Sequence, residues 1–150
     1  ALGTAFTSGH GTLLKRYTEN VILSFDSDDA GQRAILRAIP ILKEAGLTVR
    51  VLDLTPYKDR DEFIKGLGAQ ALEERIRKAM SSFMFQVKVA AGRYDQDDPE
   101  SKTQFQHEAA KLLATIEEPL ERKNYIEAVS REYYIGAKDL EDLVNYFGTS

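Results

Sequence analysis

The stretch "VILSFDSDDAGQ", residues 21–32, joins an apolar run to a cluster of acidic side chains. Residues 21–25 form a short apolar segment bounded by polar residues, which predicts a β-strand. The carboxylates of Asp26, Asp28 and Asp29 follow directly, and carboxylates held this close together repel one another. Either a bound cation or the start of a helix would relieve this repulsion.

A second strand is predicted after one intervening helix. Residues 47–54, "LTVRVLDL", alternate between apolar and polar side chains, as strands do. Between the two strands, apolar side chains recur at the spacing of one helix face, at Ile35, Ala38, Ile39, Leu42 and Ala45. Gly46 is expected to end this helix, and Pro40 is expected to bend or split it. Strand, helix and strand in this order predict a βαβ unit with a buried parallel sheet.

The flanking segments are predicted to be mostly helical. Residues 12–17 are expected to form a short helix before the first strand, and residues 2–5 the end of another strand. No strand is predicted after Asp61, because apolar residues keep helical phase over residues 72–90. Within that stretch, "EERIRK", residues 73–78, is interpreted as a solvated helix face.

Three further helices complete the prediction. Asp98 and Pro99 are typical of an N-cap and a first-turn proline, Pro119 begins the next helix, and one more helix follows near the C-terminal end. The predicted fold class is an α/β segment with a partial parallel sheet and flanking helices over residues 1–68. An all-α helical bundle over residues 69–150 is expected to follow it.

Composition limits the classes of protein that the chain can belong to. With 150 residues and 43% hydrophobic side chains, it is long enough to bury one sizeable core. The chain has no cysteine, which excludes a disulfide framework or a thiolate zinc site and favours a reducing compartment. We expect a soluble, unprocessed cytoplasmic protein, because no leader pattern or membrane-length apolar run occurs. The net charge of −4 argues against binding nucleic acid by broad electrostatic attraction.

Asp26 and Asp28 are candidates for one half of a magnesium site. A strand leaving a parallel sheet delivers its following residues to the crevice where such sheets bind ligands. In an extended chain, side chains two residues apart lean to the same side, and divalent cations accept hard carboxylate oxygens. Alternatively, Asp28 or Asp29 only caps the helix that starts near Ala30. Spacing alone leaves both interpretations open.

A second acidic pair follows the second strand, in "PYKDRDEF", residues 56–63. In a parallel sheet these residues leave at the same edge as the first pair. Asp59 and Asp61 repeat the spacing of the first pair, and Lys58 is a candidate phosphate contact. Two carboxylate pairs suit one or two metal ions and a phosphate. The alternative is again capping, with Asp59 or Asp61 starting the next helix.

Several motifs follow one another along the chain. They are "ALGTA" (1–5), "NVILSFDSDDAGQRA" (20–34), "RAIPILKEAG" (37–46), "VRVLDL" (49–54), "KDRDEFI" (58–64) and "IEEPLERKNYI" (116–126). In this order and at this spacing, the first five resemble the toprim core of bacterial DNA primases. The last resembles the helical region that follows toprim in those proteins, so the resemblance covers essentially the whole chain.

The resemblance implies a metal centre and a reaction. In toprim proteins an aspartate pair matching Asp26 and Asp28 binds catalytic Mg²⁺ or Mn²⁺. In primases a segment matching Lys58, Asp59 and Asp61 adds acidic residues to the same centre. The implied reaction is nucleotidyl transfer by a DNA-directed RNA polymerase, which joins ribonucleoside triphosphates into a short RNA primer on a single-stranded DNA template.

The resemblance also implies partners and a place in the cell. A replicative helicase is expected to bind through a C-terminal domain absent from this chain, and the protein is expected in the bacterial cytoplasm, at the replisome on the nucleoid. The chain departs from the family pattern at Ser27, where glycine is usual, and at Arg60, where proline is usual. The toprim glutamate of an earlier strand has no counterpart before residue 1, and the zinc-binding domain is missing. We therefore expect an inactive fragment of a larger primase.

Two other classes of function share parts of this pattern. Another toprim enzyme, such as a topoisomerase or a nuclease, would use the same aspartates to cut DNA, but residues 37–46 and 58–63 are more like those of primases. A receiver-like phosphoacceptor or interaction domain also has an aspartate at a strand end. Such a domain needs a compact five-stranded unit, whereas only two or three strands are predicted here.

Overall fold

Residues 1–85 and residues 86–150 form two separate units of the chain. The computed structural model describes residues 7–8, 11–17, 19–25, 29–54, 57 and 59–148. The predicted strand end at residues 2–5 lies outside the described residues. The predicted domain division after residue 68 stays a prediction.

The first unit is built on a mixed sheet. In spatial order its strands are β1 (Thr7–Ser8), β2 (Gly11–Tyr17), β3 (Asn20–Phe25), β4 (Thr48–Asp53) and β5 (Met80–Ser81). β3 and β4 are parallel, whereas the other neighbouring strands are antiparallel. Helix α1 (Asp29–Glu44) connects β3 to β4 and contacts both, which confirms the predicted βαβ unit.

Both faces of β3 and β4 are buried. Because alternate side chains of a strand point to opposite faces, Ile22 and Leu52 lie on one face and Leu23 and Val51 on the other. The face of Ile22 carries a cluster that includes residues of α2 (Arg60–Leu67) and α3 (Ala69–Arg77) and comprises Ile22, Leu52, Leu54, Phe63, Leu72 and Ala79. Helix α1 covers the opposite face. A strand pair covered on both faces explains the nearly continuous apolar sequence of β3.

The predicted helix at residues 12–17 is wrong, because this segment is the strand β2. It forms an antiparallel pair with β3, from Tyr17 opposite Asn20 to Thr12 opposite Ser24, with an irregularity between Leu13 and Lys15. A short segment has little helical stability of its own, so the open edge of a neighbouring strand decides its conformation.

The predicted continuous helix over residues 72–90 is also wrong. The chain forms α3, the short strand β5 and then α4 (Ser82–Ala91). In β5, Met80 pairs with Val51 at the edge of β4, and Arg50 Nη1 donates to the Ala79 carbonyl at 3.2 Å. Among the described residues, the sheet therefore has five strands, where two or three were expected. A strand of two residues changes little in the helical spacing of apolar residues over residues 72–90. The sequence therefore does not reveal β5.

Helix α1 ends as predicted, and it continues through Pro40. Gly46 has a φ of +87°, a left-handed conformation that favours glycine, and its amide donates to the Lys43 carbonyl at 2.9 Å. Pro40 does not split the helix, which runs from Asp29 to Glu44. Pro40 is exposed to solvent.

Three helices follow α4 in the described part of the second unit, and the first two begin where the sequence predicts. α5 (Pro99–Ala114) and α6 (Pro119–Tyr133) both start at proline, and α7 (Ala137–Gly148) follows. Asp98 caps α5 by accepting the Ser101 amide at 2.9 Å. The buried side chains of these helices include Phe105, Ala109, Leu113, Val129, Leu140 and Val144. Within the described part of the chain, no helix has the length and apolar character that crossing a membrane requires.

Candidate functional site

The two acidic segments leave the sheet from strands whose ends are level. In the parallel ladder Phe25, the last residue of β3, lies opposite Asp53, the last residue of β4. The residues that follow each strand therefore start at the same edge of the sheet, as the sequence predicts. Asp26 and Asp28 follow β3 but lie outside the described residues, as does Lys58.

The segment that follows β4 ends at the N-cap of α2. The Tyr57 amide donates to the Leu54 carbonyl at 2.8 Å, which closes a turn, and Asp59 is the N-cap of α2. One carboxylate oxygen of Asp59, Oδ1, accepts the Glu62 amide at 2.8 Å. Capping, the alternative interpretation of this aspartate, is thus observed, and it places Asp59 in a defined orientation.

The N-terminus of α2 carries three exposed carboxylates. Asp59 is the cap, and Asp61 and Glu62 lie in the first helical turn. The partial positive charge of a helix N-terminus stabilises this negative charge. Capping by Asp59 does not exclude a metal ligand, because a carboxylate has two oxygens and only Oδ1 is needed for the cap.

The residues at this edge fit a hard divalent cation in donor chemistry. Asp59 and Asp61 offer carboxylate oxygens at the start of α2, the helix that follows β4 along the chain. Within the described ranges, no three His, Cys, Asp or Glu side chains are close enough to hold a metal ion. Two further carboxylates, those of Asp26 and Asp28, follow β3 in the sequence and lie outside the described residues.

Sequence reasoning missed Arg75 of α3. Its Nη1 donates to the Asp53 carbonyl at 3.0 Å, and its guanidinium lies 5.0 Å from the centroid of the Phe63 ring. The sequence pattern of residues 73–78 places Arg75 on a solvated helix face. Its position three residues after the buried Leu72 is a signal for the inward face. Arg77 of the same helix does face solvent and pairs with Glu74 at 2.5 Å.

Comparison with known families agrees with this geometry. Residues 1–64 match a family described as Toprim-like, and the first unit therefore belongs to the toprim class of α/β folds. Residues 83–136 match a family described as the DnaB-helicase binding domain of primase. Because the two matches follow one another along the chain, they indicate a protein that combines both regions.

Relatives place both regions in one family. The DNA primase of Clostridium acetobutylicum is 32% identical over 145 residues, which cover 97% of this chain and 24% of that protein. The solved Aquifex aeolicus primase, with zinc-binding and RNA polymerase domains, is 27% identical with a TM-score of 0.50, over 86% of this chain and 32% of that one. A DNA primase domain from Pseudomonas aeruginosa has the same fold at 24% identity and a TM-score of 0.55, over 85% and 41% of the two chains. Over nearly its whole length, this chain is therefore similar to bacterial DNA primases.

The chain spans about a quarter of the length of the C. acetobutylicum relative. The family matches do not favour the topoisomerase, nuclease and receiver-like alternatives.

The second family match concerns the binding of the helicase. We expected the helicase-binding part to be absent, but residues 83–136 match a family described by that activity. The expectation of its absence is therefore not supported.

Proposed function

We propose that this chain supplies the metal-binding edge and the adjoining helical region of a DNA primase. The whole protein would join ribonucleoside triphosphates into a short RNA primer on a single-stranded DNA template, whereas this segment alone is inactive. The pairing of Phe25 with Asp53 carries the proposal, because it sends both acidic segments out of the sheet at one edge. Similarity to bacterial DNA primases supports the type of reaction.

The proposed roles follow from charge and position. Asp26 and Asp28 hold a divalent cation, Mg²⁺ or Mn²⁺, and Asp59 and Asp61 add carboxylate oxygens from the start of α2. Lys58 contacts a phosphate of the incoming nucleotide. When bound, the ion neutralises negative charge on the triphosphate and on the attacking hydroxyl. The cap hydrogen bond of Asp59 keeps its carboxylate oriented before any ion binds.

The proposed partners are consistent with the charge of the chain. A net charge of −4 attracts metal ions rather than DNA phosphates, so the template is held by basic parts of the larger protein. Metal ions held by these carboxylates would supply the positive charge that nucleotide phosphates need at an otherwise acidic edge. We place the protein in the bacterial cytoplasm, at the replisome.

The test uses the full-length parent protein with Asp26→Asn or Asp28→Asn. Each change removes one carboxylate charge at nearly constant volume. Primer synthesis on single-stranded DNA is expected to fall at least about 100-fold, since loss of a catalytic charge usually costs several kcal/mol. Asp97→Asn, an exposed aspartate before α5, is the matched control and should leave synthesis unchanged. Full activity in both site variants would refute the metal role.

A second proposal concerns residues 83–136, which we propose bind the replicative helicase. The family match over this range supports it. Two large apolar side chains in the range are unusually exposed, Leu120 at 71% and Tyr134 at 88%. Exposed apolar side chains of this size are common at protein interfaces. Titrating the whole chain against the purified helicase, with fluorescence anisotropy as the readout, tests the interaction.

A further inference from the structure

We infer that Arg75 is a positioning residue for the metal-binding edge, because it ties the end of β4 to the start of α2. The inference rests on the proposed function, and it assigns a role to a residue outside the acidic segments. Arg75 belongs to α3, and it reaches β4 and α2 with different parts of one guanidinium group.

The first contact is with the end of the parallel ladder. Arg75 Nη1 donates to the carbonyl of Asp53 at 3.0 Å, and Asp53 is the residue that pairs with Phe25. A charged donor makes a stronger hydrogen bond than a neutral one. This bond therefore holds the backbone at the point where the chain leaves the sheet towards Asp59.

The second contact is with α2. The guanidinium lies over the ring of Phe63 at 5.0 Å, a distance typical of a cation–π interaction. Phe63 is fully buried, and its amide donates to the Asp59 carbonyl at 3.0 Å in the first turn of the helix. Contacts that fix Phe63 therefore also stabilise the first helical turn, to which Asp59 belongs.

Tyr57 holds the middle of the same segment. Its ring meets the Phe63 ring edge-on, with centroids 5.3 Å apart. It also lies so close to Gly66 that a Cβ there would be 2.5 Å from Tyr57 Cε1. The connection between β4 and α2 is thus held at its start by Arg75, near its middle by Tyr57, and at its end by the cap of Asp59.

The positive charge of Arg75 allows two explanations to be distinguished, because they predict opposite changes in the affinity for a divalent cation. If Arg75 acted only as a nearby positive charge, its removal would strengthen binding of a divalent cation by reducing repulsion. If it positions Asp59 and the strand end, its removal weakens binding instead. Arg77 is the matched control, since it carries the same charge on the same helix, and it pairs with Glu74 at the surface.

The experiment compares Arg75→Met with Arg77→Met in the 150-residue chain. Mn²⁺ affinity is measured by electron paramagnetic resonance at a temperature where circular dichroism shows both variants folded. Arg75→Met is expected to weaken Mn²⁺ binding about tenfold, the lower end of the usual effect of residues that orient metal ligands. Arg77→Met should leave the affinity unchanged or slightly raise it. Arg75→Lys, which keeps the charge over Phe63, should recover part of the loss.

A second readout needs no metal. Exchange of the Glu62 amide, which donates to Asp59 Oδ1, is expected to be faster in Arg75→Met than in Arg77→Met. Mn²⁺ affinity and Glu62 exchange that match the unchanged chain would overturn the inference. If Arg75→Met does not fold, Arg75→Gln takes its place with the same expectations and the same refuting result.

The outcomes for the inference and for the proposed function are distinguishable. If Asp59→Asn weakens Mn²⁺ binding and Arg75→Met does not, the positioning role fails while the metal edge stands. If the unchanged chain binds no Mn²⁺ at millimolar concentration, the metal edge of the isolated chain and the inference fail together.

Discussion

Phe25 and Asp53 lie opposite each other in the parallel ladder, and each is the last residue of its strand. This pairing brings the ends of the two strands that precede the acidic motifs, about thirty residues apart in the sequence, to one edge of the sheet. Helix α1 makes the pairing possible, because a parallel neighbour requires a crossover connection of this length.

The cap and metal roles of Asp59 can be separated by two substitutions. Asparagine is as good an N-cap as aspartate, so Asp59→Asn should change the free energy of unfolding by less than about 0.5 kcal/mol. Asp59→Ala loses the cap and should cost about 1 kcal/mol in chemical denaturation. Both variants lose the carboxylate, so both should bind Mn²⁺ more weakly. A stable Asp59→Asn chain with unchanged Mn²⁺ affinity would restrict Asp59 to capping.

Phe63 is expected to stabilise the first unit strongly. Its side chain is fully buried in the cluster beneath β3 and β4, and Phe63→Ala should cost about 3–5 kcal/mol by loss of apolar burial and formation of a cavity. Leu67→Ala, on the same helix but 50% exposed, is the control and should cost less than about 1 kcal/mol. Urea unfolding followed by circular dichroism measures both. Equal effects of the two substitutions would contradict the described core.

The N-cap of α5 is expected to contribute to the stability of the second unit. Asp98 accepts the Ser101 amide at 2.9 Å, so Asp98→Ala should lower the free energy of unfolding by about 1 kcal/mol. The neighbouring Asp97 is exposed and is not the cap of α5, and Asp97→Ala is expected to have an effect within about 0.5 kcal/mol. Thermal and urea unfolding of the two variants provide the comparison. A larger loss in Asp97→Ala would place the helix start elsewhere.

Leu120 tests the helicase proposal. Leu120→Asp places a charge on a side chain that is 71% exposed, so the fold should be retained while an apolar contact with the helicase is lost. The dissociation constant should rise at least about tenfold, the usual effect of removing an important apolar contact. Ile41→Asp is the control, because Ile41 is 65% exposed but lies outside residues 83–136. An equal loss of binding in both variants would argue against a specific surface.

The sequence alone determined the features that depend on short-range chemistry. The strand at residues 21–25, the helix end at Gly46 and the capped start of α5 at Asp98 all follow from residue type and spacing. The two aspartate pairs have the same spacing in the sequence. The predicted βαβ order places the ends of the strands that precede them at one edge of the sheet. These features could be predicted because a strand, a cap or a glycine in a left-handed turn depends on a few adjacent residues.

Only the tertiary structure decided the features that depend on distant neighbours. β2 is a strand because β3 offers it an open edge, and β5 forms from two residues because β4 offers another. Arg75 faces inward because the Asp53 carbonyl and the Phe63 ring, 22 and 12 residues away in the sequence, meet it there. Pairing partners and burial are set by the whole fold, and their contribution is larger than the weak local preferences that a short segment carries.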